Sequence, residues 1–351
     1  MRRNWIILAA ILALALVAGV LHFADVEPVV VFVVAGAALG GLAWSISIAT
    51  ESVGERFGPA VTGALQSTLG NLPELFIVLF ALSAGELVVA RTSIMGSLFA
   101  NGLLVLGLAI MAGARAAPGG VMRFRARLPQ DTATLLLLAI AMIVLLGLSD
   151  QVGDRASTHQ VAISVIGACV MLTVYGVWLF GYLRSDEPRE EAHTGGARTT
   201  LPFKAAIGVL AASGVAAALV SEWFVDALDP AVEALGISKS FTGLVIVAIA
   251  GNAVENVVGI SLAAKGQSDL AVSVVKNSVA QIAVFLFPAL VLLSLLFETH
   301  LTFVLGPVFI GALVVTALAM WQITGDGKAL VFEGAALVGV YVILATLMWF
   351  E

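Results

Sequence analysis

Long apolar stretches separated by short polar segments dominate this chain. Eleven of them run past about 18 residues with few charges, which is typical of transmembrane helices rather than of the alternating strands of a membrane barrel. A signal peptide is an alternative interpretation of the first stretch, but no small-residue cleavage site follows it, which favours a retained helix. The predicted spans are about 5–23, 29–50, 59–90, 94–114, 131–149, 159–183, 203–225, 240–265, 269–297, 301–323 and 328–350.

Composition supports a membrane protein. Of the 351 residues, 60% are hydrophobic and 11% are charged, and the mean hydropathy is +1.07. Because soluble domains carry about 25% charged residues, this composition excludes a soluble globule, a disordered chain and a nucleic-acid binder. The spans also leave no room for a soluble domain of ordinary size.

Lysine and arginine residues are unevenly distributed between alternate loops. With the amino terminus in the cytoplasm, thirteen of them fall in inside segments and three, Arg91, Arg155 and Lys239, fall outside. The positive-inside rule therefore predicts a cytoplasmic amino terminus and, with an odd number of spans, an external carboxyl terminus. We expect an integral protein of a prokaryotic inner membrane that contacts lipid and is compatible with a homo-oligomer.

The third and eighth stretches are interrupted in the same way. The third contains the sequence Gly-Asn-Leu-Pro-Glu, which ends at Glu74, and the eighth contains Gly-Asn-Ala-Val-Glu, which ends at Glu255. A carboxylate inside a span is costly and therefore marks a candidate functional site. Gly70 and Pro73 around the first asparagine, and Gly251 before the second, predict a helix break, which a bilayer tolerates only beside protein or a wet cavity.

The two motifs belong to a repeat. They are offset by 255 − 74 = 181 residues, and alignment of 70–107 with 251–288 at this offset gives six identities in 38 positions. Five spans separate the motifs, so the halves run in opposite directions, as in many secondary transporters. The predicted class is an all-α membrane protein with two inverted five-helix repeats. Its predicted parts are an extra helix in 1–27, repeats in 28–183 and 203–351, and a charged cytoplasmic linker in 184–202.

Polar side chains around the motifs form an all-oxygen set. Asparagine and glutamate lie three residues apart in each motif, and further hydroxyl and amide groups follow on the next span of each half. Oxygen ligands suit a hard cation such as Ca²⁺. The candidate ligands are Asn71, Glu74, Ser97, Asn101, Asn252, Glu255, Ser278 and Gln281, with Glu74 and Glu255 as the central metal ligands.

Two carboxylates balance the charge of one divalent ion. When the ion leaves, burial and mutual repulsion both disfavour two bare carboxylates, so the pair takes up protons. Competition between Ca²⁺ and H⁺ for the same oxygens is a physical basis for antiport. No cofactor is expected, and Ca²⁺ and H⁺ are the transported substrates.

The paired motifs, with Gly96-Ser97, Asn101, Ser278 and Gln281 downstream, resemble the calcium/proton exchanger family of the cation/Ca²⁺ exchanger superfamily. The resemblance spans nearly the whole chain. It implies that Glu74 and Glu255 are the central ligands. It also implies that Glu51 and Glu222 lie on two helices that slide to gate access.

Three positions depart from the family pattern, and other functions remain open. Asn256 replaces a frequent histidine, Asn277 replaces a glycine, and Lys276 is unexpected beside a cation site. Lys276 either snorkels to the interface or pairs with a carboxylate. Na⁺/Ca²⁺ exchange on the same scaffold is the main alternative, although those relatives tend to have hydroxyl residues in place of the motif asparagines. A membrane-embedded enzyme and a passive channel are disfavoured, since the spans show no nucleophile–base pair and two buried acids suit alternating occupancy.

Overall fold

A computed structural model describes residues 2–54, 56–57, 65, 69–125, 128–184 and 201–351. These residues are almost entirely helical. The helices are α1 (Arg2–Phe23), α2 (Pro28–Gly54), α3 (Leu72–Ser83), α4 (Leu87–Ala116), α5 (Leu128–Val152), α6 (Gln160–Arg184), α7 (Phe203–Asp226), α8 (Leu228–Leu235), α9 (Lys239–Gly251), α10 (Ala253–Ala264), α11 (Ser268–Leu296), α12 (Pro307–Thr324) and α13 (Val331–Trp349). Two short strands, β1 (Val121–Arg123) and β2 (Lys328–Leu330), complete the fold.

The protein is an integral membrane protein. Among the described residues, nine helices are long and apolar enough to cross a bilayer, or ten if α8 and α9, which bend by 117°, form one span. These nine coincide with nine of the eleven predicted stretches. The count of eleven stays a prediction, since residues 59–64 and 66–68 of the third stretch lie outside the described residues.

The third stretch ends earlier than the sequence predicts. We expected one span to residue 90, but α3 ends at Ser83 and α4 begins at Leu87 instead of near residue 94. The reason is Gly85, whose φ of +79° is a left-handed conformation that terminates a helix and favours glycine. Gly266 does the same after α10, with a φ of +77°.

Helix boundaries repeat at the predicted offset of 181 residues. The helix Leu72–Ser83 corresponds to Ala253–Ala264, and the next helices begin at Leu87 and Ser268. The identical lengths and spacing are what a duplicated unit predicts. The inversion of the two halves and the predicted domain boundaries stay predictions.

The chain divides into two compact units, each of which draws segments from both halves. The first unit contains Met1–Ser93, Tyr182–Val254 and Met348–Glu351. Within it α2 packs along α7, α1 lies against both, and α3 packs on α7. The ring of Trp223 lies over Gly19, where a Cβ would come within 2.7 Å of the indole.

The second unit contains Ile94–Gly181 and Glu255–Leu347. In this unit α5 packs on α11 and α12, and α4 packs on α11. The strands β1 and β2 pair antiparallel, with Met122 opposite Ala329, which adds a small ribbon to the predicted all-α class. A capping interaction fixes the start of α13, since Glu333 Oε2 accepts a hydrogen bond from the Leu330 amide over 2.7 Å.

Candidate cation-binding site

Each motif places an asparagine directly before a short helix. Asn252 (φ −107°, ψ 21°) ends α9 and precedes α10, and Asn71 (φ −89°, ψ 11°) occupies the same position before α3. Pro73 lies in the first turn of α3, where its missing amide hydrogen removes no helical bond. The broken helix expected from the sequence is therefore present at the second motif; at the first, a turn at Gly70 and Asn71 precedes α3, and most of the segment before it lies outside the described residues.

The two glutamates lie in the first turns of these short helices. Glu74 is in the first turn of α3 and is 2% exposed, and Glu255 is in the first turn of α10 and half-buried. The start of a helix leaves amide hydrogens without helical partners and carries partial positive charge. This environment favours an anionic side chain in a place where burial alone would disfavour one.

In the first unit, the second motif approaches the first. A Cβ built on Gly251 would lie 3.5 Å from the Cβ of Glu74, an ordinary van der Waals contact. The side-chain amide of Asn252 donates to the carbonyl oxygen of Ala248 over 3.0 Å, which fixes the orientation of this buried side chain. Asn71, Glu74 and the Gly251–Asn252 break are thus gathered in one unit.

In the second unit, the structure brings together two predicted ligands from different halves. The amide nitrogen of Asn101 donates to the hydroxyl oxygen of Ser278 over 3.1 Å, and both side chains are buried. Ser97 lies one turn before Asn101 on α4 and is also buried, whereas Gln281, one turn after Ser278 on α11, is half-buried.

A π-helical turn begins at or directly after these ligands in both halves, and the turn in α4 contains Asn101. It covers Ala100–Val105 in α4 and Ile282–Leu286 in α11, and regular α-helix resumes at Leu106 and Phe287. A third π-turn covers Thr242–Val247 in α9, ahead of the second motif. Such turns are rare and occur frequently at functional sites. Nothing in the hydrophobic pattern indicated them.

Glu51 and Glu222 lie near the ends of α2 and α7, the closely packed helix pair of the first unit. Glu51 is half-buried and Glu222 is exposed. Each follows a buried hydroxyl residue, Thr50 or Ser221, whose side-chain oxygen has no hydrogen-bond partner among the described residues. The sequence did not point to Thr50 and Ser221, although these two residues are 171 positions apart, the same separation as between Glu51 and Glu222.

The three residues that depart from the family pattern have different environments. Lys276 is 7% exposed, and its Nζ donates to the hydroxyl of Thr324. Asn277 donates weakly to the hydroxyl of Ser273 over 3.4 Å. The amide oxygen of Asn256 is buried without a partner in the described part of the chain.

Comparison with known proteins identifies the family. The family model described as sodium/calcium exchanger protein matches residues 27–183 and 205–350. The Ca²⁺/H⁺ antiporter ChaA of Bacillus subtilis is 32% identical over 354 residues, which cover 97% of each chain. A Ca²⁺/H⁺ antiporter of Aphanothece halophytica is 28% identical over 94% of this chain and 92% of its own.

Solved structures agree with this relationship. The structure of native YfkE superimposes with a TM-score of 0.82 at 30% identity and covers 99% of both chains. The crystal structure of the H⁺/Ca²⁺ exchanger CAX gives a TM-score of 0.76 at 17% identity over 98% of this chain and 91% of its own, which supports the fold alone. The chain therefore belongs to the sodium/calcium exchanger protein family and, within it, to the calcium/proton exchangers.

Proposed function

We propose that this protein is a Ca²⁺/H⁺ antiporter that works by alternating access at a site built on Glu74 and Glu255. The observation that carries the proposal is the twofold break Gly-Asn-x-x-Glu, with each glutamate in the first turn of a twelve-residue helix whose boundaries repeat at 181 residues. The names of the relatives in Bacillus subtilis and Aphanothece halophytica support the same function.

The donor groups suit Ca²⁺. Carboxylate, amide and hydroxyl oxygens are the ligands that this ion prefers, and it takes six to eight of them in flexible geometry. Asn71 and Asn252 stand directly at the helix breaks, where carbonyl groups that lack helical partners add further oxygen donors. Ser97, Asn101, Ser278 and Gln281 supply neutral oxygens that lower the cost of removing water from the ion.

Exchange follows from competition for the two carboxylates. With both ionised, the pair neutralises one Ca²⁺, and departure of the ion leaves two like charges that protons neutralise instead. The site therefore carries either one Ca²⁺ or protons when it changes access. Glu51 and Glu222, on the paired helices α2 and α7, are proposed to participate in gating.

Na⁺/Ca²⁺ exchange on the same scaffold is the alternative. It requires additional sites for Na⁺, which relatives of that type tend to build from hydroxyl groups at the positions that Asn71 and Asn252 occupy here. The asparagines favour proton coupling.

The decisive experiment uses everted membrane vesicles with an imposed pH gradient and, separately, an imposed Na⁺ gradient. We expect Ca²⁺ uptake to follow the pH gradient and to be lost in Glu74→Gln and Glu255→Gln, which keep the side-chain shape and remove the charge. Glu233→Gln on α8, an exposed position, is the matched control and should transport normally. Uptake that requires Na⁺ and ignores the pH gradient would refute proton coupling.

Binding in detergent tests the competition itself. Because ligand oxygens must be deprotonated, apparent Ca²⁺ affinity falls as the pH falls, by up to about 100-fold per unit where two protons compete. Glu74→Gln removes one of the two competing carboxylates, so its apparent Ca²⁺ affinity should fall by no more than about tenfold per pH unit. Equal slopes in the two proteins would contradict a shared site.

We further propose that the amino terminus faces the cytoplasm and the carboxyl terminus faces outward. The support is the distribution of thirteen basic residues against three between alternate segments. Protease accessibility of tags at each terminus, in right-side-out and everted vesicles, tests this orientation.

A further inference from the structure

A cavity of about 530 Å³ lies among α5, α11 and α12 in the second unit. Its wall is mainly aliphatic, and on its outer side Leu137, Leu318 and Trp321 are 65%, 56% and 67% exposed. Large apolar side chains that are exposed on a membrane helix face lipid. The cavity therefore opens toward the bilayer rather than toward an aqueous phase.

A single buried cation interrupts this apolar wall. Lys276 lines the cavity, is 7% exposed and donates to the hydroxyl of Thr324, which also lines it. Among the described residues Lys276 forms no ion pair. A buried ammonium that has a neutral hydroxyl partner remains poorly compensated, so an anion in the cavity would be strongly favoured there.

Further positive charge follows closely in sequence. Thr324 ends α12, and Lys328 begins β2, where it stands directly opposite Arg123 of β1. Like charges opposite each other destabilise a strand pair, and both side chains are exposed. In the proposed orientation this ribbon lies at the cytoplasmic surface, where anionic headgroups would relieve the repulsion.

We propose that the cavity binds one anionic phospholipid. The phosphate lies near Lys276 at the level of Thr324, and an acyl chain follows the exposed apolar side chains of α5 and α12. Trp321 provides the amphipathic aromatic ring that commonly lies at the membrane interface.

The bound lipid would buttress the contact between α11 and α4. Val279 lines the cavity one turn after Lys276, and its side chain lies 3.9 Å from the position of a Cβ on Gly102, the neighbour of Asn101. A lipid bound in the cavity would thus keep Asn101 and Ser278 within hydrogen-bonding distance. This last step rests on the proposed transport function, whereas the binding of lipid does not.

Quenching of tryptophan fluorescence by brominated lipids tests the binding. The full-length protein is placed in phosphatidylcholine vesicles with brominated phosphatidylglycerol or brominated phosphatidylcholine, with and without Trp321→Phe, so that the difference reports Trp321 among the six tryptophans. We expect the anionic lipid to be preferred at Trp321 by about fivefold, which corresponds to about 1 kcal/mol for one lysine. Lys276→Met should abolish the preference and Lys276→Arg should retain it.

Lys204→Met is the matched control, because Lys204 is an exposed lysine at the start of α7 that is also predicted on the cytoplasmic side. It should leave the preference unchanged. A lipid preference that persists in Lys276→Met would overturn the proposal. If inorganic phosphate abolishes the lipid preference of the wild-type protein, the bound group is a soluble anion and the proposal is also overturned. Ca²⁺ exchange should rise severalfold with phosphatidylglycerol in wild type and not in Lys276→Met. A protein that binds the lipid at Trp321 without exchanging Ca²⁺ would refute the proposed function and leave this inference standing.

Discussion

The amide of Asn101 and the hydroxyl of Ser278 form a buried hydrogen bond of 3.1 Å between residues 177 positions apart. Each comes from the helix that follows a motif helix, one in each half of the chain. The bond therefore joins the two halves within the second unit, at the level where both helices turn from α to π geometry.

We expect this pair to be energetically coupled. Asn101→Ala and Ser278→Ala should each lower thermal stability in detergent, because each leaves the other buried polar group without this partner. The double variant should lose about 1 kcal/mol less than the sum of the single losses. Asn101→Ala combined with Ser294→Ala is the control pair, and its losses should add.

The hydroxyls of Thr50 and Ser221 should be dispensable for stability and required for fast exchange. An unpartnered buried hydroxyl can be replaced by an apolar group at little cost, so Thr50→Val and Ser221→Ala should unfold at the wild-type temperature or above it. If α2 and α7 move as the proposed gating requires, these hydroxyls beside Glu51 and Glu222 would gain partners during the cycle, so exchange should slow severalfold.

Thermal unfolding and Ca²⁺ uptake, measured on the same preparations, check this prediction. Thr346→Val is the control, since that hydroxyl donates to the Val342 carbonyl on an exposed helix face. A large loss of stability in Thr50→Val would mean that its hydroxyl is bonded in the resting protein. Unchanged Ca²⁺ uptake in both variants would show that these hydroxyls have no role in transport.

Gly243 is the most tightly packed of the described glycines in the first unit. A Cβ at this position would lie 1.9 Å from the Thr92 hydroxyl and 3.0 Å from the Ser93 amide nitrogen, so α4 or the π-turn of α9 would have to shift. Gly243→Ala should destabilise the protein by about 1–3 kcal/mol, the usual cost of overpacking. Gly214→Ala on α7, where a Cβ meets nothing within 4 Å, should be neutral or stabilising by up to about 1 kcal/mol.

Lys239 joins three segments near the bend between α8 and α9. Its Nζ lies 2.8 Å from Glu86 Oε2 and 2.8 Å from Asp229 Oδ1. Lys239→Met leaves two carboxylates facing each other without their cation, so it should lower the unfolding temperature more in low salt than in high salt. Glu86→Gln in the Lys239→Met background should recover part of the loss. A salt-independent loss would indicate packing of the lysine stem rather than charge.

Sequence reasoning located the long helices because twenty consecutive apolar residues have few alternatives in a bilayer. It also identified the two interrupted stretches, since glycine, proline and glutamate are costly inside a span. It failed at the turn after Ser83, where the apolar pattern continues through Gly85 and a single left-handed glycine ends the helix.

The environment of the candidate site was harder to predict. The pairing of Asn101 with Ser278 and of Lys276 with Thr324 depends on tertiary packing across 177 and 48 positions, which no local pattern encodes. The strand pair was missed because three-residue strands carry no alternation. The π-turns were missed because one extra residue in a helical turn does not change the apolar composition from which a span is predicted.

The π-turns have a geometric consequence for how each helix is used. One additional residue in a turn rotates everything beyond it by roughly 100° relative to an uninterrupted helix. Side chains before Ala100 and after Val105 in α4 therefore point along different azimuths than a regular wheel would assign, and α11 repeats this offset at Ile282–Leu286. A helical wheel drawn across either turn would assign lipid-facing and interior positions to the wrong sides.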